Sequence, residues 1–375
     1  MIYPLLPVFL SSITGLGVVA VGIVEGVAEA TSSLLKLISG ALSDKIKRKK
    51  ELVIAGYTIA TFSRPLIGIT TRWWQVLLIR FGDRVGKGIR TSPRDSLIAY
   101  SSPQEARGLA FGFHRAMDHI GAVVGPLVAF ALMGCLGVSM RGVFLLAVIP
   151  GIITLSVLAL GVREPKTPVV NKKPLSLSFR GFSKEFYRFV FILFLFTLGN
   201  STDAFLLLKA QSAGISIAFI PLLWGVLHTT KSIASIPGGA LSDKIGRKTT
   251  IILGWAVYGV VYTGFALASS PLGIWCLFLL YGVYFGFTEG VEKAMIADLA
   301  EEDSRGRAYG IYHFLVGIGS LLASFLFAFL WKTFNPQTAF FTGAGLAITA
   351  SFLLLLLVKE GKTVSYTHLT LPTKA

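Results

Sequence analysis

The amino-acid sequence predicts an all-α integral membrane protein made of two six-helix halves related by a pseudo-two-fold axis, with the first helix truncated. Three observations predict this fold class: an apolar composition, a series of long apolar stretches and an internal repeat. Hydrophobic residues make up 53% of the 375 residues, only 14% are charged, and the mean hydropathy is +0.71. Soluble domains carry about 25% charged residues. The composition therefore excludes a disordered chain, a disulfide-rich secreted scaffold and an ordinary cytosolic enzyme.

Eleven apolar stretches are long enough to cross a bilayer, because a spanning helix needs about 20 mainly apolar residues. Residues 1–10 are also apolar but cover only about half of that length. The predicted spans are 16–39, 51–70, 73–100, 108–134, 141–162, 188–208, 214–237, 250–270, 272–297, 307–331 and 338–358.

The charge pattern predicts how the chain is oriented. The formal net charge is +16, and most Lys and Arg residues lie in short stretches between the apolar runs. Because cytoplasmic loops carry this excess, we expect the basic segments 45–50 and 163–187 and the C-terminus on the cytoplasmic side of the inner or plasma membrane. The same pattern makes the lipid bilayer, and not nucleic acid, the expected partner.

An internal repeat divides the chain into two related halves. Gly40 to Ile46 recurs unchanged as Gly239 to Ile245, at an offset of 199. A second match, Arg-Gly-x-Ala-aromatic-Gly, begins at Arg107 and again at Arg305, at an offset of 198. The predicted units are the helical halves 1–162 and 188–358, a basic linker at 163–187 and a tail at 359–375.

The repeat also predicts where the first helix begins. An offset of 199 maps Met1 onto Asn200, in the middle of the span 188–208. We therefore expect Met1 to be an internal residue of the first helix, with the native chain beginning upstream. The Thr-rich stretch after Lys362 resembles a read-through tail and carries no helical periodicity.

These features resemble the major facilitator superfamily, and more closely its proton-linked, drug-exporter-like branch. The loop motif Gly-x-Leu-Ser-Asp-Lys-x-x-Arg-Lys carries the resemblance in both halves, through Gly40, Asp44 and Arg48 and through Gly239, Asp243 and Arg247. Arg80-x-x-Asp83-x-x-Gly86 resembles the fourth-helix motif, and Gly121-x-x-x-Gly125-Pro126 resembles the fifth-helix motif of proton-linked exporters, although Arg84, Ala129 and Phe130 depart from them. The resemblance implies a twelve-helix transporter that acts by alternating access, as a monomer, on a small molecule, without cofactor or metal and with a proton gradient as energy source.

Each motif has a physical interpretation. Gly40 lets the chain turn tightly at the membrane surface, and Asp44 and Asp243 are expected at helix ends of their own halves. Arg48 is expected to hold its loop at the anionic lipid surface. Gly121 and Gly125 let helices approach closely, and Pro126 bends the span. The alternative for the fifth helix is a packing face without a conformational role.

Ionisable residues inside the spans are candidate functional groups, because burying a charge in a bilayer is costly. Glu25, Glu29 and Lys36 fall within about 40° of one another on a helical wheel. They predict either a polar cavity wall or a self-contained structural pair. Asp203 in the seventh helix is a candidate proton carrier, and further candidates for the proton or substrate pathway are Asp118, His228 and Lys231.

The fourth span predicts an inner gate. Arg94-Asp95 maps onto Glu292-Lys293 in the second half, with the charges in opposite order. The expected contacts are Arg94 with Glu292 and Asp95 with Lys293, which would form in one state and break in another. The alternative is separate pairs within each half, such as Glu289 with Lys293.

Two smaller expectations concern the same span and the cysteines. Asp83 is expected to pair with Arg80 and its neighbours, and Pro93 is expected to break the helix near its cytoplasmic end. Cys135 and Cys276 are expected to be small core residues, since neither has a partner at ligand or disulfide spacing.

The favoured function is proton-coupled export of a small organic compound, with proton-coupled nutrient uptake as the alternative. A membrane-embedded enzyme is the alternative from a different class. The sequence contains no metal-ligand cluster and no nucleophile elbow, which disfavours the enzyme. It also contains no phosphate-binding Gly-x-x-x-x-Gly-Lys-[Ser/Thr] loop, which disfavours ATP-driven pumping.

Overall fold

A computed structural model describes residue 9 and residues 31–164, 177–216 and 219–359, and every regular element in these residues is helical. In the first half the helices are 31–43 (α1), Lys49–Ser63 (α2), Trp73–Ser101 (α3), Arg107–Gly134 (α4), Met140–Leu146 (α5) and Val148–Ser156 (α6). In the second half they are Lys184–Gly199 (α7), Ala204–Ser212 (α8), Ile220–Ile245 (α9), Arg247–Leu267 (α10), Pro271–Leu299 (α11), Arg305–Thr333 (α12) and Pro336–Leu357 (α13).

Where the structure describes them, the helices agree with the predicted spans, with most ends differing by a few residues, while residues 16–30 of the first predicted span lie outside the described residues. Eight helical segments in the described part of the chain are long and apolar enough to cross a membrane. The protein is therefore a multi-pass membrane protein. The charge-rich α3 is not among the eight, because it carries too many charged residues. Its charged side chains can be buried because they pair with residues of opposite charge.

The largest differences from the predicted spans lie in the second half. The span predicted to end at residue 237 continues to Ile245, so the second motif copy forms the last turns of α9. Gly246, with φ of +96°, then ends the helix in a conformation that favours glycine. The span predicted at 188–208 is divided into α7 and α8, because residues 200–203 are not helical.

Pro93 does not break α3, which runs without interruption from Trp73 to Ser101. The predicted break is wrong. A proline is tolerated inside a membrane helix when neighbouring helices hold the segment on both sides of it. Here Arg90 lies 4.2 Å over the ring of Tyr57, and Asp95 binds a lysine of α11.

The two halves differ in the space beside α2 in the first half and beside α10, its counterpart in the repeat, in the second half. In the second half, α7 packs there, and Phe196 stacks on Trp255 with ring centroids 4.5 Å apart. In the first half, residues of α2 to α6, Gly121 among them, line a cavity of about 820 Å³. By the repeat, Gly121 corresponds to Gly319, which packs against Thr197 of α7. Residues 1–10, where the truncated first helix is expected, lie outside the described residues except for Phe9, which is helical and packs edge-on against Phe144.

Cys135 and Cys276 are both exposed. The expectation that they are core residues is wrong. The physical reason is that lipid tails are as apolar as a protein core, so a small thiol is tolerated on an outer helix face.

Candidate functional site

Both copies of the loop motif lie on one face of the helix bundle. The end of α3 and the short connection that follows it contact the two copies: the Lys49 ammonium lies 5.3 Å from the ring centroid of Tyr100 in α3, and Arg247 donates to the carbonyl of Gln104 in the connection at 2.7 Å. The two loops therefore lie at the same end of the described helices, and the membrane side that they share stays a prediction. We call the surface formed by residues 40–50, 100–109, 239–249 and 298–307 the motif face.

Asp44 joins the first half to the second. Its carboxylate oxygens accept hydrogen bonds from the backbone N–H groups of Gly306 and Arg307, both at 2.8 Å. These two groups belong to the first turn of α12, where N–H groups have no partner within the helix. A carboxylate at a helix N-terminus contributes about 0.3–1 kcal/mol.

Asp243 makes the reciprocal contact. It accepts from the N–H groups of Gly108 at 2.9 Å and Leu109 at 2.8 Å, in the first turn of α4. The expectation that Asp44 and Asp243 cap helices of their own halves is wrong. The reason is that α4 and α12 begin beside the motif copy of the opposite half, so each half holds the other.

Glycines allow the backbones to approach at both crossings. A Cβ atom at Gly239 would collide with the carbonyl oxygen of Gly108 and lie 3.2 Å from the Cα of Gly112, and one at Gly40 would meet the backbone of Gly306. In contrast, nothing described lies within 4 Å of a Cβ built at Gly121. The predicted close packing of the fifth-helix motif is therefore not observed at Gly121, which faces the cavity instead together with Gly125. Pro126 lies within α4.

We predict that Gly239→Ala weakens the contact between the halves, whereas Gly121→Ala has little effect. Overpacking costs about 1–3 kcal/mol, which lowers the population of this closed contact several-fold or more. A cysteine replacing buried Ser235, in a variant without Cys135 and Cys276, reports opening through its rate of labelling by a maleimide. Equal labelling rates in the two glycine variants would contradict the prediction.

Ion pairs strengthen the Asp243 contact. The Arg247 guanidinium pairs with Asp243 and, at 3.1 Å, with Asp298 at the end of α11. Asp298 also pairs with Arg107 of the first half. The motif arginine of the second half is thus buried in a network that spans both halves.

The matching arginine of the first half behaves differently. Arg48 pairs with Glu51 at 3.1 Å, and both side chains are exposed. The position that matches Asp298 is occupied by Tyr100, which offers a ring in place of a carboxylate. Arg305 lies 5.1 Å from the centroid of that ring. The two sides of the motif face therefore share a geometry but not a charge pattern.

A buried ion cluster lies deeper in the seam between the halves. Asp95, which is fully buried, accepts from Lys293 at 2.9 Å and lies 2.8 Å from His313 Nε2. Arg94 also pairs with Asp95, at 3.0 Å. The predicted contact between Asp95 and Lys293 is confirmed, and His313 is a member that the sequence did not indicate.

The predicted contact of Arg94 with Glu292 is not formed. Glu292 accepts hydrogen bonds from Tyr312 at 3.2 Å and Trp255 at 3.4 Å, both in its own half. Successive helical residues point about 100° apart. When Asp95 and Lys293 face each other, their neighbours Arg94 and Glu292 must therefore point elsewhere.

The alternative pair of Glu289 with Lys293 is not formed either. Glu289 binds Arg115 of the first half at 2.6 Å and lies 3.0 Å from His119 Nε2. His119 in turn meets His228 of the second half, with the two Nδ1 atoms 3.2 Å apart. Arg115 and His119 were missed as candidates, although the repeat maps Arg115 onto His313. Asp118 pairs with Arg115 at 3.1 Å at the edge of this cluster.

The seam is closed from the motif face as far as these histidines. Ser232 donates to the carbonyl of Ala116 at 3.1 Å across the halves, one turn below His119. Beyond the histidines, Gly121 of α4 faces the cavity of the first half, and nothing described lies within 4 Å of a Cβ atom built there or at Gly225 of α9.

A second polar site lies where α7 and α8 are interrupted. Asp203 accepts from the Tyr281 hydroxyl at 2.9 Å and lies 3.6 Å from the Lys231 ammonium. The Lys231 ammonium is also 3.4 Å from the ring centroid of Phe285 and is buried. The Tyr258 hydroxyl donates to the Gly199 carbonyl at 2.7 Å, which satisfies a backbone group freed by the break. The structure brings the predicted residues Asp203 and Lys231 together.

The remaining candidates have mixed outcomes. Lys36 is buried on α1, while Glu25 and Glu29 lie outside the described residues, so the polar-wall interpretation stays a prediction. Asp83 pairs with Arg80 at 3.4 Å, as predicted, and with Arg64 at 2.7 Å. Arg64 follows α2 and was missed because it is distant from Asp83 in sequence.

The sequence and fold comparisons agree with this architecture. A sequence model of the Major Facilitator Superfamily matches residues 1–291 and 189–371. A protein of Methanocaldococcus jannaschii described as an uncharacterized MFS-type transporter is 36% identical over 361 residues, which cover 95% of this chain and 90% of that protein. The chain belongs to the major facilitator superfamily. By its fold it is a secondary transporter.

More distant proteins are similar along most of the transporter. The multidrug resistance protein MdtG of Proteus mirabilis is 26% identical over 358 residues, covering 91% of this chain and 87% of that protein. The crystal structure of the human organic anion transporter MFSD10 superposes with a TM-score of 0.80 at 16% identity, covering 94% of both chains. A bacterial homologue of ferroportin in an outward-facing state gives 0.74 at 16% identity, covering 94% of this chain and 93% of that one. The structural similarities support the twelve-helix fold.

Proposed function

We propose that the transporter exports a small organic compound across the cell membrane in exchange for protons, with the motif face on the cytoplasmic side. The observation that carries this proposal is the Asp203–Lys231 pair at the break between α7 and α8. Non-helical backbone at membrane depth is tolerated where it is buried in protein or lines a cavity. Transporters place substrate and coupling-ion sites at such discontinuous helices.

The chemistry of the pair couples protons to substrate. Lys231 is buried between Asp203 and the Phe285 ring, so Asp203 is the counter-ion of its ammonium group. A cationic group of a substrate competes with the Lys231 ammonium for the Asp203 carboxylate, because a buried charge needs a partner. Binding of a substrate cation and binding of a proton are then alternatives at the Asp203 carboxylate, which is the requirement for exchange.

The closed seam indicates a stage of the transport cycle. With the motif face cytoplasmic, the contacts of Asp44, Asp243, Asp95 and Glu289 close the inner side, as alternating access requires of an outward-facing or occluded state. Inward opening must break these contacts. In alternating access, one set of contacts between the halves is therefore replaced by another set on the opposite side.

The excess of Lys and Arg supports the orientation. The name of MdtG, multidrug resistance protein, supports export of an organic compound. A relative of Staphylococcus aureus that is 24% identical over 386 residues is named staphyloferrin B transporter.

Proteoliposomes loaded with a pH-sensitive dye test the proposal. With the inside acidic, addition of a transported organic cation outside is expected to alkalinise the inside, since protons leave as the compound enters. A panel of fluorescent cationic dyes serves as the probe, and vesicles without protein are the control. Acidification of the inside on addition of a compound, with no imposed gradient, would indicate symport and contradict the proposal. Labelling of a cysteine at exposed Lys47 by an impermeant reagent in cells tests the orientation.

A further inference from the structure

The two aspartates that join the halves differ in their counter-ions. Asp243 is in direct contact with the guanidinium of Arg247. Asp44 makes no such ion pair with any described residue, although it accepts the same two kinds of backbone hydrogen bond. The guanidinium that would correspond to Arg247 belongs to Arg48, which is directed outward to Glu51.

A single amino-acid difference between the two halves accounts for this difference in counter-ions. In the second half, Asp298 attracts Arg247 inward and holds it beside Asp243. In the first half the matching position is Tyr100, which has no negative charge to hold Arg48. Lys49 lies over the Tyr100 ring instead. Asp44 is thus a half-buried carboxylate docked on the other half without an arginine.

The surroundings of Asp44 determine its proton affinity. Burial against α12 raises the pKa of Asp44 to about 7, although the N–H groups of Arg307 and Gly306 and the charges of Lys49 and Arg307 act in the opposite direction. Lys49 faces Asp44 from α2, Arg307 faces it from α12, and the neutral Tyr100 lies near it on α3. Asp44 lies in the turn after α1, outside the membrane-spanning helices.

We propose that Asp44 is a proton sensor on the motif face, and that its protonation holds the two halves together on that side. Once the halves separate, Asp44 is hydrated and regains an ordinary pKa near 4. The docked form therefore binds a proton more tightly than the separated form. By linkage, protons favour the docked form.

The sign and the range of the effect follow from these two pKa values. Between about pH 4 and about pH 7, each fall of one pH unit raises the ratio of docked to separated protein by up to about tenfold. The stabilisation is lost as the pH rises through about 7, because Asp44 is then ionised in both forms.

The sensor has a functional consequence that rests on the proposed function. A transporter that exchanges substrate for external protons acidifies the cytoplasm. Protonation of Asp44 would then keep the inner side closed and slow the entry of further protons. Asp44 thus supplies a feedback that limits proton influx.

Distances between spin labels across the motif face test the sensor without any substrate. The labels replace exposed Lys47 and Glu301 in protein that lacks Cys135 and Cys276, in proteoliposomes at equal pH on both sides. The short-distance population is expected to grow as the pH falls from about 8 to about 5. Asp44→Asn and Asp44→Ser, which keep a hydrogen-bond acceptor but cannot titrate, should remove most of this growth.

Asp243→Asn is the matched control, since it weakens the other contact but leaves Asp44 able to titrate. It should lower the short-distance population at every pH and keep the pH dependence. An unchanged pH dependence in both Asp44 variants, or a short-distance population that grows as the pH rises, would overturn the proposal. The spin-label measurement needs no transport, so it tests the proton sensor separately from proton exchange. A failure of the dye experiment would overturn the proposed exchange only, and a failure of the spin-label experiment would overturn the sensor only.

Discussion

Replacing Asp95 with Asn is expected to open the motif face in most molecules. Asp95 is fully buried and neutralises Lys293 across the seam, with Arg94 and His313 also in contact. Removing one member of a buried pair costs about 3–5 kcal/mol, because the remaining charge is left uncompensated. The ratio of closed to open protein should fall by about 100- to 5,000-fold. The labelling rate of a cysteine at Ser235 measures the change.

The double variant Asp95→Asn/Lys293→Met gives the decisive comparison. Because it removes both charges, it should be closer to the parent protein than Asp95→Asn alone, with a coupling energy well above the scatter of about 0.5 kcal/mol seen for independent sites. Asp118→Asn is the control, since that carboxylate is exposed and should change labelling little. Additive effects at Asp95 and Lys293 would show that the cluster does not close the seam.

Asp203→Asn is expected to abolish proton-driven transport while substrate exchange is partly retained. The amide cannot exchange a proton and no longer balances the Lys231 ammonium 3.6 Å away. Leaving that charge unpaired costs about 3–5 kcal/mol, so gradient-driven flux should fall by about 100-fold or more. Flux with and without a pH gradient, compared with counterflow at equal pH, separates the two activities.

Asp203→Glu keeps the charge and should keep part of the gradient-driven flux. Tyr281→Phe removes only the hydrogen bond to Asp203 and should reduce the flux by a smaller factor. Gradient-driven transport that is unchanged in Asp203→Asn would remove Asp203 from the coupling site and leave the seam clusters as the remaining candidates.

Much of the fold and part of the site can be predicted from the sequence, because two signals are strong. Span length is set by bilayer thickness, so apolar runs give the helices to within a few residues. The repeat then superposes the halves, which is sufficient to predict the contact between Asp95 and Lys293 from opposite charges at matching positions.

The partners of Asp44 and Asp243 could not be predicted in the same way. A short acidic side chain after a helix is expected at some helix N-terminus, and α2, α4, α10 and α12 all begin on the motif face. The chemistry does not distinguish one N-terminus from another. Only the packing of the two halves decides that Asp44 reaches α12.

Rotation about the helix axes limits the prediction of side-chain partners as well. Arg115 and Glu289 meet across the seam because α4 and α11 present those faces to each other. A difference of one residue turns a side chain by about 100°, which is why Glu292 lies among Trp255 and Tyr312 and not beside Arg94. The break after α7 was missed although residues 200–203 are polar, since apolar residues on both sides of them are together long enough to predict a single span.

The central claim is that contacts between the halves on the motif face form and break during every transport cycle, and a reversible cross-link tests it most directly. Gln104 and Lys244 are exposed residues of opposite halves beside the contact of Arg247 with the Gln104 carbonyl. Cysteines at these positions, in protein without Cys135 and Cys276, can be joined by a flexible bis-methanethiosulfonate reagent.

Cysteines at Arg48 and Glu51, which lie in one half, provide the matched control. The account predicts that cross-linking Gln104 to Lys244 reduces substrate flux to background and that reduction restores it, whereas the control cross-link leaves flux unchanged. Full flux through protein in which Gln104 and Lys244 stay cross-linked would contradict the account, because the halves would then not need to separate on the motif face.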